Sequence, residues 1–97
     1  MRVTAILSPF PDGTYVVVVP ALPGCVSEGV GVEAALANAA EAAAAWLAEA
    51  QAAERTPLDE SAELIAEEIY QVLADREEDG LPPLIETRQI EVGASAG

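Results

Sequence analysis

The chain contains no histidine, no lysine and only one cysteine, Cys25. Without histidine it has neither an imidazole base nor histidine metal ligands. A lone cysteine excludes an internal disulfide framework and a multi-cysteine zinc site. Its four basic residues are scattered arginines, so we expect no direct binding to DNA, RNA or an anionic membrane, all of which attract clustered positive charge. We identify no residues for a metal or a cofactor.

Long apolar runs are missing as well. The alanine-rich stretch 34–53 comes closest to a membrane span, but Asn38, Glu41 and Glu49 interrupt it. The first residues enter an alternating pattern without the apolar region of a secretory leader. We therefore expect a cytoplasmic protein.

The composition predicts one small, strongly acidic domain. The 97 residues are 52% hydrophobic but only 4% aromatic, so the core must consist of small and branched side chains. Seventeen acidic residues give a formal net charge of −13. We expect a single domain over residues 1–92 and a disordered tail at 93–97.

Three strands are predicted in the first third of the chain. Residues 2–7 alternate, and residues 15–19 form a continuous β-branched run that is typical of a central strand buried on both faces. A proline-rich break precedes a short third strand at 25–30, so the three should form an antiparallel meander. Residues 84–92 predict a fourth strand at an edge of the sheet, because they are acidic and polar.

Two helices are predicted between the third and fourth strands. A helical period begins at Val32. A second helix is expected at about 57–78, because Thr56 is a suitable N-cap and Pro57 suits the first helical position. The predicted fold is α+β in the order β-β-β-α-α-β, with both helices packed on one face of the sheet.

The segment from the second strand to the first helix resembles the HicB-like antitoxin family. An aromatic strand leads into a Leu-Pro-Gly-Cys turn, then a short strand that ends in glycine, then a helix that opens with Glu-Ala and carries asparagine. The residues that match this pattern are Tyr15, Pro20, Leu22, Pro23, Gly24, Cys25, Gly29, Glu33 and Asn38.

The resemblance implies a partial RNase H-like fold and a partner, a small basic HicA-like toxin that cleaves mRNA. Many members also carry a C-terminal DNA-binding domain. This chain departs from the pattern in two places: it has an extra helix at about 57–78, and we expect no DNA-binding domain after its fourth strand.

Candidate partner-binding residues come from the charge pattern and from one aromatic residue. Ten of the 17 acidic residues lie between positions 54 and 79. A carboxylate-rich helix face there would attract a basic toxin, although a merely solvated face gives the same pattern. Trp46 is either a core residue or an interface anchor. The candidate residues are Glu60, Glu63, Glu67, Glu68 and Trp46.

Three functions follow in order of preference. The first is a non-enzymatic antitoxin that masks a basic RNA-cleaving toxin. The second is an orphan homo-oligomeric scaffold or regulatory protein without a toxin. For the antitoxin as well we expect a homo-oligomer, a dimer or tetramer, because the short third strand leaves a sheet edge open. The last is a degenerate RNase H-like hydrolase, which is disfavoured because the first strand has no carboxylate to hold divalent ions. Cys25 is read as a small buried apolar residue, since no histidine is present to activate it.

Overall fold

The computed structural model describes residues 1–92, so the predicted tail at 93–97 lies outside the described residues. Six elements follow one another: β1 (Arg2–Pro9), β2 (Thr14–Val18), β3 (Val26–Val30), α1 (Val32–Ala52), α2 (Ala62–Glu78) and β4 (Glu86–Glu91). The strands form one antiparallel sheet in the order β3-β2-β1-β4. The α+β class, the element order and the meander are confirmed, and β4 lies at an edge as predicted.

The first face of the sheet packs against α1 and carries the core. Val3, Leu7 and Val17 are buried here, and Leu7 lies opposite Val17 in the β1–β2 register. From α1, Ala35, Ala39 and Ala43 are each 0% exposed and meet these side chains. Because alanine has only a methyl group, the helix axis lies close to the sheet. This explains how a chain with few aromatics closes its core.

The second face of the sheet is covered by α2 and by the segment that precedes it. Thr4, Ile6 and Ser8 alternate with the core residues of β1 and are also buried. Arg76 of α2 donates a hydrogen bond to the Ser8 hydroxyl at 3.0 Å, and Glu60 accepts one from the Thr4 hydroxyl at 2.6 Å. The prediction that both helices pack on one face is therefore wrong. Since β1 carries small or apolar side chains on both sides, both sides require cover.

The start of α2 also differs from the prediction. The helix begins at Ala62, and its N-cap is Ser61, whose hydroxyl accepts a bond from Leu64 N–H at 3.1 Å. The residues before it are extended because they bond to other elements: Leu58 N–H donates to the Ala21 carbonyl at 2.8 Å. The expected cap at Thr56 is thus wrong, since tertiary hydrogen bonds hold 57–60 out of the helix.

The strands differ in how far they are buried and in whether both of their edges are paired. Both β1 and β2 are central in the sheet, as predicted for the second strand. Burial on both faces, however, was predicted for the second strand and is found in β1, whereas the side chains of β2 are mostly half-buried. Within residues 1–92, β3 has no strand on its outer side, and Val30 there is 76% exposed. No helix in this described part combines the length and apolarity needed to cross a membrane.

Candidate partner-binding surface

The Leu-Pro-Gly-Cys turn is a packed structural corner. Leu22 is fully buried, and its N–H and carbonyl bond Val19 O at 3.0 Å and Cys25 N–H at 2.9 Å. Gly24 has φ of +86°, a left-handed conformation that glycine adopts without strain. Pro20 is buried beside Leu22, whereas Pro23 is exposed. Burial raises the pKa of the Cys25 thiol, so Cys25 stays a neutral apolar side chain.

Trp46 fastens this corner to α1. Its indole N–H donates to the Pro23 carbonyl at 2.8 Å, and the Arg55 guanidinium lies 5.0 Å from the ring centroid. The ring is half-buried and packs against the core. Both the polar edge and one face of the ring are therefore engaged within the chain, and a role as partner anchor stays a prediction.

The remaining motif residues join β3 to α1. A Cβ on Gly29 would lie 2.7 Å from the Ala35 backbone nitrogen, so only glycine allows this close approach. Opposite Gly29 in the register is Tyr15, which packs against the core. The side-chain amide of Asn38 donates a hydrogen bond to the Glu28 carbonyl at 2.8 Å, so this backbone oxygen of β3 has a partner in α1.

Glu33 lies in the first turn of α1 and is exposed. A carboxylate at this position favours the helix through its interaction with the positive end of the helix dipole.

The predicted acidic cluster divides into three environments. Glu60 lies outside α2, and its carboxylate accepts two bonds from Thr4, from the N–H at 2.8 Å and from the hydroxyl at 2.6 Å. Since the β1–β2 register begins at Ile6, Thr4 has no β2 partner, and Glu60 takes that place. Glu63 and Glu67 are exposed on one side of α2, whereas Glu68 is half-buried on the other.

A groove runs along α2 beside the exposed acids. It has a volume of about 580 Å³ and lies between the helix and the segment that follows it. Tyr70 is 68% exposed at its margin. The residues that line it are mostly apolar: Ala66, Ile69, Tyr70, Leu73, Ala74, Glu77, Leu81 and Pro83. At about 100° per residue, Glu63, Glu67 and Glu77 lie within roughly 60° of Tyr70.

The charge on α2 is of one sign at its surface. The helix sequence contains six acidic residues and one basic residue, Arg76, which is 3% exposed. The other three arginines are elsewhere: Arg2 and Arg88 lie within 4 Å of Glu91 and Glu86 respectively, and Arg55 stacks on the indole described above. The face with the groove is therefore strongly negative, a field that attracts basic partners.

Arg76 is the residue that sequence reasoning missed. It donates to the Pro82 carbonyl at 2.7 Å, to the Pro9 carbonyl at 2.7 Å and to the Ser8 hydroxyl at 3.0 Å, and it lies 5.9 Å from the Phe10 ring centroid. The available signal was a single arginine in an otherwise acidic helix. That pattern does not reveal which backbone groups surround it.

Within 1–92, no three His, Cys, Asp or Glu side chains converge as a metal-ligand group. Asp12 caps its own turn by accepting a bond from Thr14 N–H at 2.9 Å, which lowers the pKa of the Asp12 carboxyl.

Two comparisons with known proteins find sequences similar to this chain. The model of the family described as the HicB-like antitoxin of bacterial toxin-antitoxin systems matches residues 4–77. The UPF0150 protein Ta0767 of Thermoplasma acidophilum is 47% identical over 47 residues, which cover 48% of this chain and 68% of that protein. No solved structure matches the chain.

Proposed function

We propose that this chain, which belongs to the HicB-like antitoxin family, binds and neutralises a small basic toxin that cleaves mRNA. The family is generally non-catalytic, and we propose no reaction for this chain. A protein of this kind acts by occupying the surface with which the toxin would meet RNA. Its partner is defined by chemistry: a small protein with clustered Lys and Arg where phosphates bind.

The observation that carries the proposal is the unbroken negative surface of α2. Six carboxylates lie on this helix, and its one arginine is buried against β1. An RNA-cleaving toxin needs positive charge to hold phosphates. A carboxylate surface competes for that charge and accelerates encounter between the two proteins.

The first experiment asks whether such a partner exists. The open reading frame beside this chain's gene is expressed alone and together with the chain, and cell growth and mRNA integrity are followed. We expect a small basic product that arrests growth alone and is harmless in co-expression, with a stable complex on purification. A neighbour that is neither basic nor toxic, or one that forms no complex, would contradict the proposal.

The second experiment tests the contribution of the α2 charges. Replacing Glu63, Glu67 and Glu77 with lysine should slow association with the toxin by about tenfold or more at low salt, with a smaller change in dissociation. The difference should shrink as salt rises, because screening weakens exposed charges. Glu60 is left unchanged, since its carboxylate bonds β1.

A matched control has the same change in net charge on the other helix. Glu33, Glu41 and Glu49 of α1 are exposed, and their replacement with lysine also adds six units of positive charge. We expect this variant to associate faster than the α2 variant. Equal rates would mean that only the total charge matters and that α2 has no special role.

A homo-oligomeric role is the second candidate, and the outer edge of β3 favours it. Val26 and Val30 are 55% and 76% exposed, and within the described residues no strand pairs with the outer edge of β3. We propose that the chain forms a dimer or tetramer. Light scattering at a protein concentration of roughly tens of micromolar, a range suited to weak interfaces, measures its mass. A monomeric mass throughout this range would contradict it. A hydrolase remains the least favoured function, because β1 carries no carboxylate.

A further inference from the structure

The helix α2 buries little of its own apolar surface. Among its 17 residues the only buried one is Arg76, while Ile69 and Leu73 are half-buried and Tyr70 is 68% exposed. Helices in proteins owe most of their stability to packing of an apolar face. The groove side of α2 is therefore an apolar surface that the chain itself leaves open.

The groove is held in shape by the same contacts that fix α2. Arg76 binds the Pro82 carbonyl at 2.7 Å through its side chain, and its own carbonyl accepts a bond from Leu81 N–H at 2.8 Å. These two bonds position the segment that forms the opposite wall, which includes Leu81 and Pro83. A site that exists before its ligand arrives loses less ordering entropy on binding.

The charges around the groove indicate what kind of partner fits. Glu63, Glu67 and Glu77 lie on the same side of α2 as Tyr70, and this rim has no exposed basic side chain among the described residues. A second copy of this chain, with a net charge of −13, would place carboxylates against carboxylates. A basic protein would place lysine or arginine there instead.

We propose that the groove between α2 and residues 81–83 receives an apolar side chain of a basic protein partner, whose neighbouring Lys or Arg residues pair with Glu67 and Glu77. The inference rests on the proposed function for the identity of that partner and specifies where it docks. An apolar anchor in a pocket within a charged rim is the usual arrangement of an interface hot spot.

A pair of synthetic probes tests the site without the toxin. The first is a fluorescent amphipathic peptide with a leucine stripe and a lysine-rich face; the second keeps the lysines and replaces leucine with serine. We expect the first peptide to bind the full chain at least about tenfold more tightly than the second, as the loss of a buried anchor implies. Equal binding would show attraction by charge alone and would overturn the proposal.

Variants of the chain locate the binding site. Tyr70→Ser should weaken the leucine peptide by about tenfold, and it should preserve the fold because this side chain is mostly exposed. Val30→Ser on β3 removes a similarly exposed apolar side chain from a different surface and should leave binding unchanged. Equal losses in the two variants, or no loss in the first, would overturn the assignment. Circular dichroism confirms that both variants are folded.

Two further results separate this inference from the proposed function. If the purified toxin binds wild type and Tyr70→Ser equally, the docking site is wrong while the antitoxin function stands. If the adjacent gene encodes no toxin but the leucine peptide still depends on Tyr70, the antitoxin function fails while the groove stands as a site. Should light scattering show a dimer that Tyr70→Ser dissociates, the occupant is a second copy, and the proposal of a basic partner is overturned.

Discussion

Removal of the Arg76 guanidinium should release α2 from the sheet. Three hydrogen bonds of 2.7–3.0 Å connect this one side chain to Ser8, Pro9 and Pro82, and it is the only buried side chain of the helix within the described chain. In Arg76→Met the apolar stem is kept and the charged group is lost. The substitution therefore isolates the contribution of the bonds from that of packing.

The expected cost follows from the number and type of these bonds. A hydrogen bond from a charged donor contributes about 1.5–3 kcal/mol, so the three set an upper range of about 5–9 kcal/mol. Removing a buried cation also relieves its desolvation, which costs several kcal/mol. We expect a net loss of about 2–4 kcal/mol, a large share of the 5–15 kcal/mol typical of a domain.

Thermal and urea unfolding followed by circular dichroism measure this loss. For a chain of this size each kcal/mol lowers Tm by about 4–8 °C. The control is Arg88→Met. The Arg88 guanidinium is exposed and bonds Glu86 at 2.7 Å, so its removal should change the free energy of unfolding by no more than about 1 kcal/mol. Hydrogen exchange should rise in 62–78 well before 32–52. If the two variants are equally stable, or exchange rises evenly, Arg76 does not anchor α2.

Three further predictions concern single contacts. Glu60→Ala should lower the free energy of unfolding by about 1–3 kcal/mol, because two Thr4 donors lose their acceptor; an unchanged urea midpoint would contradict this. Burial raises the pKa of the Cys25 thiol in the folded chain. The contribution of this neutral thiol to folding stability is therefore present below the ordinary thiol pKa, and it is lost as pH rises through the pKa of the thiol in the folded chain. Alkylation at about pH 8 should therefore be slower in the folded chain than in urea, and equal rates would argue against burial. The hydrogen bond from Thr14 N–H lowers the pKa of the Asp12 carboxyl in the folded chain. The contribution of this carboxylate to folding stability is therefore present above the ordinary carboxyl pKa, and it is lost as pH falls through the pKa of the carboxyl in the folded chain. An NMR titration that gives an ordinary carboxyl pKa would refute the turn contact.

The strands and α1 were predictable because their patterns are local. The β-branched run at 15–19 and the alternation at 2–7 depend on neighbouring residues alone, and the structure places strands at Thr14–Val18 and Arg2–Pro9. The motif residues were also informative, since Gly24 and Gly29 each occupy a position that a side chain would strain or block.

The position of α2 was not predictable from local patterns. Thr56-Pro57 is a good helix start by itself, but Leu58 and Glu60 bond to distant backbone groups and delay the helix to Ala62. The same holds for the covered face of the sheet. The contact of Arg76 with Ser8 spans 68 positions, and no periodicity encodes it.

The placement of the helices on opposite faces bears on whether the two candidate functions compete. On the first face of the sheet, Trp46 of α1 bonds the Pro23 carbonyl of the Leu-Pro-Gly-Cys turn. The groove lies along α2, which covers the second face. The outer edge of β3 belongs to neither surface. A dimer paired through β3 would therefore leave two α2 grooves free, so self-association and toxin binding are compatible. With both surfaces in use, we expect one toxin to bind each chain and the number of chains in the assembly to stay the same. A toxin that splits the assembly into single chains would show that the two surfaces overlap.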